Sequence, residues 1–389
     1  MKNKGIELYR SQNIKKTLQI IRNNDGITRR QLQKRTGLSF ATISSACNEL
    51  VEKDIVYETG HNNTNGGAGR IPKILYIKEL SYFGLCIDLQ NRSEVLIVLR
   101  GICNTECFHA SVKYTDPKDI DGIIDSIWNA FNNNMVNHNI PMNRIIGIGV
   151  SISGIFDLEN QSIQECTIAE WEGCNLKEKI EKVFGISTYV DNFTSLMVSR
   201  FVSDIDKSGK TVNTAYIHVG EGLGIGIISH GHLLRGARGY AAEICHLPVG
   251  NSDIKCPRCG NYGCAENELS KRGFCSKYLA RTNNDRDILS WDDFIALVEN
   301  KDPHALEVVK ENSEILAKCV AFILTIFDPD ELHIGGSIYE IYDLMESTVT
   351  RRTESLGINY SHIPIILDST GQDGLIDGIM ERIIYRWDP

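Results

Sequence analysis

Long hydrophobic runs are missing from this chain of 389 residues. The longest, CVAFILTIF from Cys319, falls far short of the roughly 20 apolar residues that a membrane-crossing helix needs. The opening MKNKGIELYRSQNIKK is charged and polar where a secretory signal would carry an apolar stretch. A compact disulfide framework is missing too. Twelve cysteines are scattered along the chain, and only Cys256, Cys259 and Cys264 stand at ligand-like spacing. The others are read as small buried hydrophobes in a reducing compartment. These absences exclude a helical membrane protein and a small secreted scaffold, and the expectation is a cytoplasmic protein. What is present is ordinary for a globular chain, 42% hydrophobic and 23% charged, with enough length for two or three cores.

Charge is divided unevenly. Residues 1–78 hold 14 Lys and Arg against 6 Asp and Glu, a balance of +8. The remainder holds 27 against 44, or −17, and the two give the net −9. A basic head on an acidic body predicts that the head meets a polyanion.

The head has a pattern that narrows the choice. In SQNIKKTLQIIRN, Ile14, Leu18 and Ile21 recur at helical spacing. Thr28 and Gln31 form a capping box that opens a short helix through Arg35. Gly37 in the following turn suits a positive φ. Ser39 caps a second helix with Ile43, Ala46 and Leu50 on one face, against which Leu32 packs. IVYETG and RIPKILYI read as two strands joined by the polar HNNTNGGAG. Helix-turn-helix plus hairpin predicts a winged helix over 1–78, whose second helix enters a major groove. Its exposed turns offer Phe40, Ala41, Thr42, Ser44 and Ser45, short groups suited to base edges and thymine methyls. Arg30, Lys34 and Arg70 are candidates for phosphate or minor-groove contact. A helical protein-interaction module is the bland alternative, and the positive charge and the wing weigh against it.

After Leu80 glycine-punctuated strands alternate with amphipathic helices, as in YFGLCIDLQNRSEVLIVLRG, RIIGIGVSISGIFD, NLKEKIEKVF, TAYIHVGEGLGIGIISHGHLLRG and DPDELHIGGSI. That alternation predicts an α/β body. Within it, EICHLPVGNSDIKCPRCGNYGCAENE spans residues 243–268. His246, Cys256, Cys259 and Cys264 supply one nitrogen and three thiolates, a set suited to a tetrahedral, structural zinc ion with no open position for water.

The order of these loops, with GARGYAAEICH followed by CPRCGNYGCAE, resembles the ROK family of bacterial repressors, uncharacterised open reading frames and sugar kinases. The resemblance covers essentially the whole chain, and the basic head places it in the repressor branch, similar to xylose-type and N-acetylglucosamine-type regulators. The family pattern has C-x-C where this chain has C-x-x-C, and glycine where it has Cys245. The resemblance implies an actin-like body of two lobes, 79–200 and 201–389, with the C-terminal end returning to the first. It also implies a sugar held by Gly154, Asn192, Glu243, His246 and Glu266. A family kinase needs a phosphate-cradling DIGGTK-like hairpin, and here Asp88-Leu89-Gln90-Asn91-Arg92 stands instead. Its general base belongs in a VENDAN-like segment, and YVDNFTS puts Phe193 there, a side chain that cannot accept a proton. Glu221 adds a negative charge to a second glycine loop that survives.

The resulting expectation is a sugar-responsive transcriptional repressor without enzyme activity. Operator DNA and a small sugar are its partners, and a homodimer or homotetramer reads paired half-sites. An ATP-dependent sugar kinase with an appended head, or a DNA-binding protein insensitive to ligand, are the alternatives.

Overall fold

The computed structural model describes residues 2–60, 73–202, 211–250, 255–256, 258–282, 288–355 and 362–389. The chain divides into two compact units, one of 1–156, 160–192 and 379–389, the other of 157–159 and 193–378.

The first unit opens with α1 (Lys2–Arg22), β1 (Ile27–Thr28), α2 (Arg29–Thr36) and α3 (Phe40–Glu52), then β2 (Val56–Gly60) and β3 (Lys73–Ile77). The capping signals act as read: Thr28 accepts from the Gln31 amide while Gln31 returns to the cap, and Ser39 accepts from the amide of Thr42. Gly37 ends α2 at φ 71°, a left-handed geometry that costs glycine nothing. Ile14, Leu18 and Ile21 of α1 are buried, as are Leu32 of α2 and Ile43, Ala46, Cys47 and Leu50 of α3. The strands form a sheet in the order β1-β3-β2. α1 begins nine residues before the helix read from the apolar spacing, because that spacing marks only the part that buries a face.

The same unit continues with β4 (Phe83–Asp88), β5 (Glu94–Gly101), β6 (Glu106–Lys113), α4 (Ile120–Asn137), β7 (Ile145–Ile152), β8 (Gly154–Asp157), β9 (Ser162–Cys166), α5 (Leu176–Phe184) and β10 (Thr188–Asn192). The main sheet runs β10-β7-β4-β5-β6, with β10, β7 and β4 parallel.

The second unit carries α6 (Phe193–Ser199), β11 (Thr214–Val219), β12 (Leu223–Ser229), β13 (His232–Leu233), α7 (Ala265–Leu269), α8 (Lys271–Thr282), α9 (Trp291–Glu299), α10 (Pro303–Phe327), β14 (Glu331–Gly335), α11 (Tyr342–Glu354) and β15 (Ile365–Asp368). Its sheet runs β13-β12-β11-β14-β15, with β11, β14 and β15 parallel. Numbered in order of appearance, both sheets follow one plan: a three-stranded antiparallel meander, then two parallel strands added beside its first member. Helix α10 supplies much of the second core, with Val308, Leu316, Val320 and Leu324 fully buried. No helix among the described residues is long and apolar enough to cross a membrane.

The last helix, α12 (Gly371–Arg386), starts in the second unit and ends in the first. In the first, Ile379, Met380 and Ile383 pack where Gly84, Gly147 and Gly149 leave β4 and β7 without side chains. α12 also anchors the head. Arg22 at the end of α1 forms a bidentate ion pair with Glu381, both side chains being nearly inaccessible, at 8% and 10%. Near the middle of α1, Ser11 and Lys15 meet Asp388. Removing one member of a buried pair strands the other charge. Arg22→Met is expected to cost about 3 kcal/mol, lowering the thermal midpoint in calorimetry, while Arg22→Lys costs less; equal midpoints for all three proteins would show that the pair does not hold the head.

Candidate functional site

On α3, Ala41, Ser45 and Asn48 form an exposed stripe opposite the buried face, with Phe40 exposed at its start. Arg30 and Lys34 are exposed on α2. Thr42 and Ser44, expected on the outer turns, are only half exposed: Thr42 is engaged by the cap residue Ser39, and the carbonyl of Ser44 accepts from Arg29. Thr42 and Ser45 also line a groove of about 410 Å³ with Tyr9, Arg10, Asn13 and Ile14 of α1. Arg70 and the wing tip lie outside the described residues. Sequence reading passed over Arg29. Its guanidinium donates to Asn48 at 2.9 Å, to the Ser44 carbonyl at 3.3 Å and to Glu58 of β2, which also pairs with Lys73 at 3.0 Å. Arg29 therefore fixes α3 against the hairpin, and nothing in one-dimensional spacing separates it from its neighbour Arg30.

In the first unit, Asp88, Ser151 and Asp191 stand side by side in register on three parallel strands, and Asn192 pairs with Ile152. Asn192 and Gly154 thus lie at the carboxyl ends of adjacent strands β10 and β7, the edge of a parallel sheet where ligands bind in open α/β folds. Gly154, read as part of a loop, starts β8; a Cβ there would collide with the backbone of Glu165 and Cys166 in β9. The first phosphate loop is closed by its own side chains, since both the backbone and the side-chain amide of Gln90 donate to Asp88. Asp191 lies on β10, two residues before Phe193. It is buried, accepts from the hydroxyl of Tyr189 and lies near Arg382 and Arg386; burial pushes its carboxyl up to about 7 against the pull of Arg382.

In the second unit, Phe193 begins α6 and sets its ring edge-on to His218, 4.5 Å between centroids. The glycine-rich turn between β11 and β12 and the Gly335–Gly336 turn after β14 both close on that histidine, because a Cβ on Gly220 or Gly336 would strike the imidazole. Two loops with the look of phosphate cradles therefore hold a ring. Glu221, expected to repel phosphate, pairs with Lys271 at 3.0 Å and is locally neutralised.

His246, Cys256, Cys259 and Cys264 come together as the sequence spacing predicts, their ligand atoms all within 4.8 Å of one another. The Cys259 and Cys264 sulfurs are 3.3 Å apart, and Nδ1 of His246 is 3.7 Å from the Cys256 sulfur. Metal–sulfur bonds of about 2.3 Å in a tetrahedron put sulfurs about 3.8 Å apart, so the cluster has the dimensions and the donors of a metal site. The extra residue in C-x-x-C does not disturb it, and Cys245 stays outside the group. Glu266 is half-buried on α7, where its amide donates to the Cys245 carbonyl at 2.9 Å and its carboxylate faces the Leu223 amide at 3.4 Å. Glu243 is exposed, and its carboxylate lies 3.9 Å from the Cys245 sulfur.

Comparison with known proteins places these features. A model of the ROK family matches residues 109–378, more than half of the chain. The chain belongs to the ROK family. A winged helix-turn-helix DNA-binding model matches residues 10–57. The chain is 26% identical over 387 residues to the xylose repressor of Bacillus spizizenii, covering 96% of this chain and 95% of that one. It is 23% identical over 381 residues to the N-acetylglucosamine repressor of Escherichia coli O157:H7, covering 93% and 90%. Among solved structures, a ROK family transcriptional regulator homologous to E. coli MLC superposes with a TM-score of 0.82 at 20% identity, covering 97% of both chains. A ROK glucokinase from Streptomyces griseus, in complex with glucose and AMPPNP, reaches 0.61 at 21% identity over 76% of this chain and 98% of its own. The fold is therefore a winged helix followed by a ROK body of the actin-like, sugar-kinase type.

His218 gives this ROK body a measurable signature. Its Nδ1 is buried with no hydrogen-bond partner among the described residues, and burial pushes the imidazole down to about 4, Asp368 opposing and Lys271 assisting. Between that value and the ordinary 6.5 the unfolded chain binds the extra proton, so folding stability rises with pH through this window and is lost as pH falls from about 6.5 toward 4. For one proton the slope reaches about 1.4 kcal/mol per pH unit. Urea denaturation at successive pH values should show it in the wild type and not in His218→Gln; parallel pH profiles would refute the assignment.

Proposed function

We propose that this chain is a sugar-responsive transcriptional repressor of carbohydrate-utilisation genes, with the winged helix at 1–78 as its operator reader and the ROK body as its sensor. One observation carries the reading: the likeness to proteins named as sugar repressors runs through the head and the body together, over at least 93% of this chain. Phe193 at the position of the base, and Gln90 bonded across the first phosphate loop, support a body that binds sugar without phosphorylating it.

In the operator complex the exposed stripe of Ala41, Ser45 and Asn48, with Phe40, meets base edges, and Arg30, Lys34 and Arg70 meet phosphates. Arg29 acts behind them by holding α3 in place. On the second unit Glu243, His246 and Glu266 bond the sugar hydroxyls, a pairing that rejects sugars lacking the matching group. Zinc suits the thiolate-rich quartet. Held there, it supplies structural bracing only, since four protein ligands leave no position for water. The sugar acts through unequal affinity for two conformations of the protein, and a symmetric oligomer reads two half-sites.

Two measurements test the reading. Thermal-shift wells with a panel of monosaccharides are expected to single out one sugar, which at one hundred times its Kd adds about 2.7 kcal/mol of stability; Glu266→Gln loses that shift, and Mg-ATP wells stay flat. Duplexes selected from a random pool should bind with an affinity that this sugar changes, and Arg29→Met should weaken them. Sugar phosphorylation in the presence of Mg-ATP would overturn the proposal.

The quartet is expected to bring one equivalent of zinc through purification. Cys264→Ser should lose it, as read by elemental analysis, together with the sugar-dependent shift.

A further inference from the structure

The metal segment rests on a charged foundation that lies outside its ligands. Glu268, two residues after Glu266 on α7, is fully inaccessible at 0%. It forms an ion pair with Lys277 of α8, whose ammonium also donates to the side-chain carbonyl of Asn312 on α10. Asn312, itself fully buried, donates back to the main-chain carbonyl of Glu268 at 2.9 Å. Helices α7, α8 and α10 thus meet around Glu268, α8 through its carboxylate and α10 through its main-chain carbonyl.

Burying such a pair is an expensive way to gain stability, because desolvation offsets much of the attraction. What the carboxylate touches points to another role. It lies directly under Gly250, where an added Cβ would overlap three of its atoms. The Gly250 amide donates to the Gly263 carbonyl at 2.9 Å, and the Val249 amide donates to the same oxygen at 3.0 Å. Gly263, at φ 69°, is crowded against the Gly250 carbonyl and immediately precedes the ligand Cys264. From the other side, Lys318 of α10 donates to the Val249 carbonyl at 2.8 Å. Contact therefore runs from Asn312 and Lys277 through Glu268 to Gly250, then Gly263, and ends at Cys264.

We infer that Glu268, held by Lys277 and Asn312, is a positioning residue that sets where Gly250 and Gly263 stand and so where Cys264 meets the other three ligands. Outer partners of this kind orient ligands, and losing one typically lowers metal affinity about 10- to 100-fold. Glu266 shares α7 with Glu268, so the same foundation orients a proposed sugar contact. The inference rests on the metal reading of the quartet.

Cobalt is the probe, because thiolate-bound tetrahedral Co²⁺ absorbs visibly while zinc does not. The full chain, stripped of metal under reducing conditions, is titrated with Co²⁺ against a competing chelator. Glu268→Gln and Lys277→Met are each expected to bind Co²⁺ about 10- to 100-fold more weakly than wild type, with the same spectrum at saturation because all four ligands remain. The double variant E268Q/K277M leaves no buried charge unpaired; it should regain the thermal midpoint of the metal-free protein but not the affinity. Gly250→Ala, which pushes on the carboxylate from above, should weaken binding as Glu268→Gln does and gives a second route if the charge variants fold poorly. Wild-type affinity in Glu268→Gln and Gly250→Ala, or affinity returning with stability in the double variant, would overturn the positioning role. A wild-type protein that takes up no cobalt would instead defeat the metal reading, and the inference with it.

Discussion

The described residues between Glu243 and Cys264 belong to no helix or named strand, and four side-chain atoms from His246, Cys256, Cys259 and Cys264 gather within 4.8 Å of one another. A loop of this length loses conformational entropy when ordered and has few apolar side chains to offset the loss. Backbone bonds from Val249 and Gly250 to Gly263, and isolated bridges at Pro248–Cys264 and Lys255–Tyr262, align the two arms. A metal held by the quartet would close them, as metal binding and local folding couple elsewhere. His246 belongs to the quartet itself, and Glu266 follows Cys264 at the start of α7, so two of the proposed sugar contacts adjoin the cluster.

In the body, glycine-rich loops and strand ends of a sugar-kinase-type fold are packed against side chains of the chain itself. The glycines of the two surviving loops are used, but by the His218 ring, which Phe193 covers edge-on. At the strand ends of the first unit, Gln90 occupies Asp88, and Asp191 turns toward Tyr189 and the arginines of α12. A glycine-rich loop is thus a statement about close approach, and only the neighbour says whether a phosphate or a side chain approaches.

Helix α12 gives the C-terminal end of the chain two roles. Its apolar face fills the space left by glycines on β4 and β7, and its polar face receives Arg22 from the head. The winged helix is therefore tied to the body by a buried ion pair at the end of α1 and by sequence-distant contacts from its middle. A DNA reader joined by a free linker would report nothing of the body's state; one anchored this way has the physical means to do so.

The amino-acid sequence by itself determined the elements whose signals are local: the capping box at Thr28, the Gly37 stop, the Ser39 cap, the apolar faces of α1 and α3, the glycine-bounded strands, and a ligand quartet whose spacing survived an extra residue between its cysteines. The departures from the kinase pattern at Gln90 and Phe193 were equally legible, because they rest on side-chain identity alone. Tertiary structure decided everything that depends on distant neighbours. Arg29 rather than Arg30 locks α3, Thr42 and Ser44 are drawn inward, Gly154 opens a strand, and His218 fills the glycine loops. The Arg22–Glu381 tie and the Glu268–Lys277–Asn312 foundation join residues that no helical or strand period relates. Periodicity records which face of an element is buried; which residue meets it across the core is set by packing between segments far apart in the chain.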